Sequence, residues 1–91
     1  MKELDELIGT LEILQEAVAA KDKNKSFEAV TVLLLQFMQT FGHDMNLCAK
    51  TFPLLEELKN NIQAESYDLA MARVLAFLAK FRAVRNNLPT T

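Results

Sequence analysis

Apolar residues recur along the chain at alternating steps of three and four, the spacing that places side chains on one face of an α-helix. In the first segment these residues are Leu4, Leu7, Ile8, Leu11, Leu14 and Val18. Acidic residues lie between them, and the polar run KDKNKS (21–26) follows. The pattern predicts an amphipathic helix that the polar run ends.

A second helix is predicted to begin at Ser26, whose hydroxyl can accept a hydrogen bond from a free backbone N–H, and to end at Gly42. Its apolar face carries Phe27, Val30, Leu34, Phe37 and Phe41.

A third helix is predicted over roughly 45–62, with Asp44 as its N-cap. Pro53 would cost about 3 kcal/mol in a helix interior. Two arrangements therefore stay open. One is a single helix kinked near Pro53, and the other is a turn over 44–50 followed by a helix that has Pro53 in its first turn.

A fourth helix is predicted to begin at Ser66 and to end at Leu88-Pro89. Its core face carries Tyr67, Ala70, Val74, Phe77 and Phe81. These segments predict an all-α fold in which residues 1–91 form one domain. The expected architecture is a four-helix bundle built from two tandem helical hairpins, about 2–42 and about 43–87.

Two segments of the chain resemble each other. SFEAVTVLLLQFMQTF (26–41) is echoed 40 positions later by SYDLAMARVLAFLAKF (66–81). A duplicated hairpin would explain the likeness, because one hairpin cannot bury its apolar face alone and two stacked hairpins can. The alternative is that any two amphipathic helices opened by serine, an aromatic residue and an acid look alike.

The openings of these segments, KSFEAVTVLLLQF and ESYDLAMARVLAF, resemble the second helix of a tetratricopeptide hairpin. In both, an aromatic residue and an acid precede small residues, at Ala29 and Ala70, that let helices approach. The unit of 40 residues is longer than the family's repeat of about 34, and the first helices lack the family's Trp-Leu-Gly-Tyr pattern. The resemblance implies a helical-hairpin protein that holds another polypeptide.

Composition narrows the classes of function. The chain has 91 residues, 51% of them hydrophobic, and a net charge of −2, which argues against nucleic acid as a partner. Cys48 is the single cysteine, so no internal disulfide points to an oxidising compartment. The most apolar stretch, AVTVLLLQFM, is shorter than the roughly 20 residues that span a bilayer. We expect a cytoplasmic protein with no membrane partner.

Candidate chemistry is limited to His43 and Cys48. Together they offer two metal ligands where a structural zinc site uses four, and a catalytic thiol would need a base close by. A metal-dependent or thiol enzyme that uses this pair is the less favoured alternative. We expect no enzyme activity, cofactor or metal.

Charge is distributed unevenly between the first and last helices. Glu3, Asp5 and Glu6 open the first helix, and Lys80, Arg82 and Arg85 close the fourth. In an up-down-up-down bundle these clusters lie at the same end of the molecule, so they predict closure of the bundle. A basic patch for nucleic acid or membrane is the alternative interpretation.

Apolar or small residues also lie on faces turned away from the predicted core. They are Ile13 in the first helix, Val32 in the second, and Leu69, Ala72, Ala76, Ala79 and Ala83 in the fourth. Exposed apolar surface often marks a binding site, although alanine is also the best helix former. We therefore predict a protein-interaction module, acting as an adaptor, chaperone-like or regulatory protein, that binds a helical segment or a second copy of itself. The alternative within the binding class is an inhibitor or immunity-type protein for one dedicated target.

Overall fold

The computed structural model describes residues 2–87, which form four α-helices and no strand. The helices are α1 (Lys2–Ala19), α2 (Lys23–Phe41), α3 (Met45–Gln63) and α4 (Tyr67–Asn86). The all-α, four-helix prediction is confirmed. None of these helices has the length and apolar character that crossing a membrane would need. The predicted end of α4 at Leu88-Pro89 lies outside the described residues.

The helices form a closed ring of neighbours. α1 packs against α2 and α4, and α3 packs against the same two helices. Phe37 is almost fully buried near the centre, with its ring centroid 5.3 Å from that of Phe41 and 5.4 Å from that of Phe52. The predicted core face of α1 is confirmed. That of α4 is confirmed except for Tyr67, which is half-buried, and Leu78 adds a buried residue that the spacing did not identify.

The start of α2 differs from the prediction. The N-cap is Asp22, whose side-chain carboxylate accepts a hydrogen bond from the backbone N–H of Lys25 at 3.1 Å. Ser26 was wrongly predicted as the cap and is instead a buried residue one turn inside the helix. The polar run hid this start, because the apolar face of α2 begins only after the first turn.

α3 is a single helix that contains Pro53, so the arrangement with a separate turn over 44–50 is wrong. Asp44 is its N-cap, as predicted, and accepts a hydrogen bond from the backbone N–H of Leu47 at 3.0 Å. Pro53 lies on the exposed side of the helix. Helical spacing continues past it on the buried side, through Thr51, Leu55, Leu58 and Ile62. We infer that burial of this continuous face offsets the cost of the proline.

The two hairpins use the same turn. Lys21 and Glu65 adopt left-handed backbone conformations with φ of 55° and 59°. In each turn the next residue donates its N–H to a carbonyl five positions back, the hydrogen bond that defines a Schellman motif. These equivalent residues are 44 positions apart, whereas the sequence likeness has a period of 40. The two periods differ by four residues, which is about one helical turn. Residues that match in sequence therefore lie on the same face of α2 and α4, but about one turn apart in their distance from the preceding hairpin turn.

Two ion pairs lie at the α1–α4 contact, and one of them joins the two charge clusters that the sequence predicted to meet, while the other uses Glu12, which lies outside them. The Arg85 guanidinium lies 3.2 Å from the Asp5 carboxylate, and the Arg82 guanidinium lies 2.8 Å from that of Glu12. Both pairs are exposed, and such pairs contribute less than about 1 kcal/mol each. They align α4 with α1 more than they stabilise the fold.

Candidate functional site

A groove of about 640 Å³ lies between α1 and α2 and is here called the α1/α2 groove. Its floor is formed by Thr10, Ala17 and Ala29, which are buried. The groove exists because these residues are small: they let the backbones of two helices approach but leave the outer face of the contact unfilled.

Two apolar side chains line the groove above this floor. Ile13 of α1 is 62% exposed and Val32 of α2 is 44% exposed. Beyond them, the Thr10 hydroxyl donates a hydrogen bond of 2.6 Å to the Gln36 side-chain carbonyl and ties the two helices together. The groove therefore offers exposed apolar contact on a scaffold that is fixed at one end.

The end of the groove nearest the α1–α2 turn is charged. Its lining includes three carboxylates, from Glu16, Asp22 and Glu28, and one ammonium group, from Lys25. Since Asp22 also caps α2, its carboxylate already accepts a backbone hydrogen bond. Glu16 and Glu28, on opposite helices, carry the remaining negative charge.

The seven residues predicted for partner binding are all exposed, but they do not form one surface. Ile13 and Val32 meet in the α1/α2 groove. The alanine strip (Ala72, Ala76, Ala79 and Ala83) lies on α4, which packs against α1 and α3 but is not a main neighbour of α2. Ala76 lines a smaller pocket of about 140 Å³ together with Leu54. Leu69 lies in a separate shallow pocket at the α3–α4 turn.

Ala29 was identified from the sequence as a small residue that lets helices approach, but Ala17 and the groove that the two residues help to form were missed. Ala17 and Ala29 fall on the core-facing sides of their helices, where small residues are easily taken for ordinary packing. The available signal was their size. Two helices joined by a short turn each place alanine on the facing side, beside an apolar residue that points outward.

His43 and Cys48 differ in their exposure and in their contacts. His43 is exposed in the turn between α2 and α3. Cys48 lies in the first turn of α3, half-buried, and its thiol donates a hydrogen bond of 3.2 Å to the backbone carbonyl of Phe41. Across residues 2–87, no three His, Cys, Asp or Glu side chains are grouped so that they could hold a metal ion.

No protein-family model, curated protein or solved structure matches this chain. The resemblance to tetratricopeptide hairpins therefore stays a prediction.

Proposed function

We propose that this protein is a cytoplasmic protein-interaction module that holds a helical segment of another protein in the α1/α2 groove. The observation that carries the proposal is the pairing of a small-residue floor with two exposed apolar side chains, Ile13 and Val32. A binding role suits a site of this kind, in which apolar contact dominates. The lone half-buried cysteine is consistent with a reducing compartment.

The dimensions of the groove favour a helix as the bound element. The groove runs from Thr10 of α1 to Ala20, one residue past the end of that helix, over about 15 Å, which corresponds to about three turns of a bound helix. A third helix laid against two neighbouring ones is a common mode of peptide recognition. Addition of a strand is not favoured, because the described residues have no sheet edge.

The charges favour a different protein over a second copy of this chain. If two copies paired groove to groove, each would bring three carboxylates and one ammonium group to the contact, so the two surfaces would carry net charge of the same sign. Like charges brought together in a partly desolvated contact oppose binding. We therefore propose a hetero-partner.

The proposal is tested by a matched pair of substitutions on α2. Val32→Glu places a charge in the groove, whereas Leu35→Glu places the same charge on the same helix outside it, at a residue that is 57% exposed. Each tagged variant is expressed in the native cell, and proteins that copurify with it are quantified against the parent.

We expect a specific partner to be retained by the parent and by Leu35→Glu, and reduced at least tenfold with Val32→Glu. Circular dichroism must show equal helix content for the three proteins. Equal retention of every partner by Val32→Glu and the parent would contradict the proposal.

A further inference from the structure

We infer that the helix bound in the α1/α2 groove is cationic, with lysine or arginine beside a narrow apolar stripe. This inference rests on the proposed function and specifies the chemistry of the partner. It follows from the charges of the groove and from their position relative to Ile13 and Val32.

The carboxylates of α1 differ in ion pairing between the side of the helix that faces α4 and the side that faces α2. On the α4 side, Asp5 and Glu12 form ion pairs with arginines at 3.2 and 2.8 Å. On the α2 side, Glu16 lines the groove, and neither it nor Glu28 forms an ion pair with a side chain of residues 3–87. Glu16 and Glu28 therefore keep negative charge that a ligand in the groove can contact.

The groove is layered along its length. Because α1 and α2 run antiparallel, residues of the two helices at similar distances from the α1–α2 turn face each other. Glu16 follows Ile13 by three residues and Glu28 precedes Val32 by four, so the two glutamates share a level about one turn nearer the α1–α2 turn. Thr10 and Gln36 occupy the level on the opposite side, and their hydrogen bond fixes this register.

This layering specifies a pattern for the bound helix. An apolar side chain would contact Ile13 and Val32, and a cationic side chain three or four residues away would reach Glu16 and Glu28. Residues at that spacing lie on one helix face. A helix with acidic residues at the same positions would be repelled.

The test uses three synthetic helical peptides with the same alanine and leucine stripe and with lysine, glutamine or glutamate at the flanking positions. Each is titrated against the parent by fluorescence anisotropy at low and high salt. We expect the lysine peptide to bind about tenfold more tightly than the glutamine peptide, and the glutamate peptide to bind weakest. The advantage of the lysine peptide should shrink at high salt, because screening weakens exposed charge pairs.

Substitutions in the protein test which of its residues give the preference for the lysine peptide. The double substitution Glu16→Gln/Glu28→Gln should weaken the lysine peptide about fivefold, and Val32→Glu should reduce binding of the glutamine peptide at least as much as that of the lysine peptide. Glu56→Gln is the matched control, since Glu56 is an exposed acid on α3 outside the groove, and should leave both affinities unchanged.

Two outcomes separate this inference from the proposed function. If the three peptides bind alike, or if Glu16→Gln/Glu28→Gln has no effect, the cationic preference is wrong while binding in the groove stands. If no peptide binds and Val32→Glu also keeps every cellular partner, the groove is not a docking site and both are overturned.

Discussion

At the scale of single residues, Phe37 lies where three helices meet in the core. Its ring contacts those of Phe41, Phe52 and Phe81, so its removal would leave a cavity shared by three helices. Phe37→Ala should lower the free energy of unfolding by about 3–5 kcal/mol.

Urea unfolding followed by circular dichroism measures this loss. Leu35→Ala, on the same helix but exposed, is the control and should change stability by less than about 0.5 kcal/mol. If Phe37→Ala unfolded at the same urea concentration as the parent, α2 would present the wrong face to the core.

The N-terminus of α2 gives a second prediction at this scale. Asp22→Ala should cost about 1 kcal/mol, because the cap loses its hydrogen bond to the Lys25 backbone. Ser26→Ala should be neutral or stabilising, since the Ser26 hydroxyl is buried with no hydrogen-bond partner among the described residues. The opposite ranking of the two variants in thermal unfolding would restore Ser26 as the cap.

At the scale of elements, the turns store backbone strain. A left-handed conformation costs a residue other than glycine roughly 1–2 kcal/mol, while glycine costs about 0.5–1 kcal/mol in chain entropy. Lys21→Gly should therefore stabilise the protein by about 0.5–1 kcal/mol. Lys50→Gly removes the same charge within helix α3 and should destabilise it by about 1 kcal/mol. Destabilisation by Lys21→Gly would show that the turn is not strained.

The helices themselves could be predicted because each buries one continuous face. Leu4, Leu11 and Val18 carry that signal in α1, and tertiary packing adds to it. Boundaries were less certain where the first turn is polar, as at Asp22, or where one residue opposes helix formation, as at Pro53. The groove depends on where two helices meet, and the spacing within one helix carries no such information. Ile13 and Val32 could thus be named, but not placed together.

At the scale of the whole molecule, we expect the protein to be a monomer in the absence of a partner. The acids of the groove oppose its pairing with the same groove of a second copy. Light scattering after size exclusion should give the mass of one chain, and Ala79→Glu should not change it. A dimer that Ala79→Glu dissociates would instead assign self-association to the alanine strip, as the sequence alone suggested.

A helix bound in the α1/α2 groove would lie against Val32, and photo-crosslinking in the native cell detects this contact. A photoreactive amino acid is placed at Val32, and at Leu35 as the matched position outside the groove. With the photoreactive amino acid at position 32, we expect a discrete crosslinked protein that is joined through a helical segment. With the same amino acid at position 35, we expect little or no crosslinked product. Equal crosslinking from both positions, or a product formed only from position 35, would contradict the proposed binding in the groove.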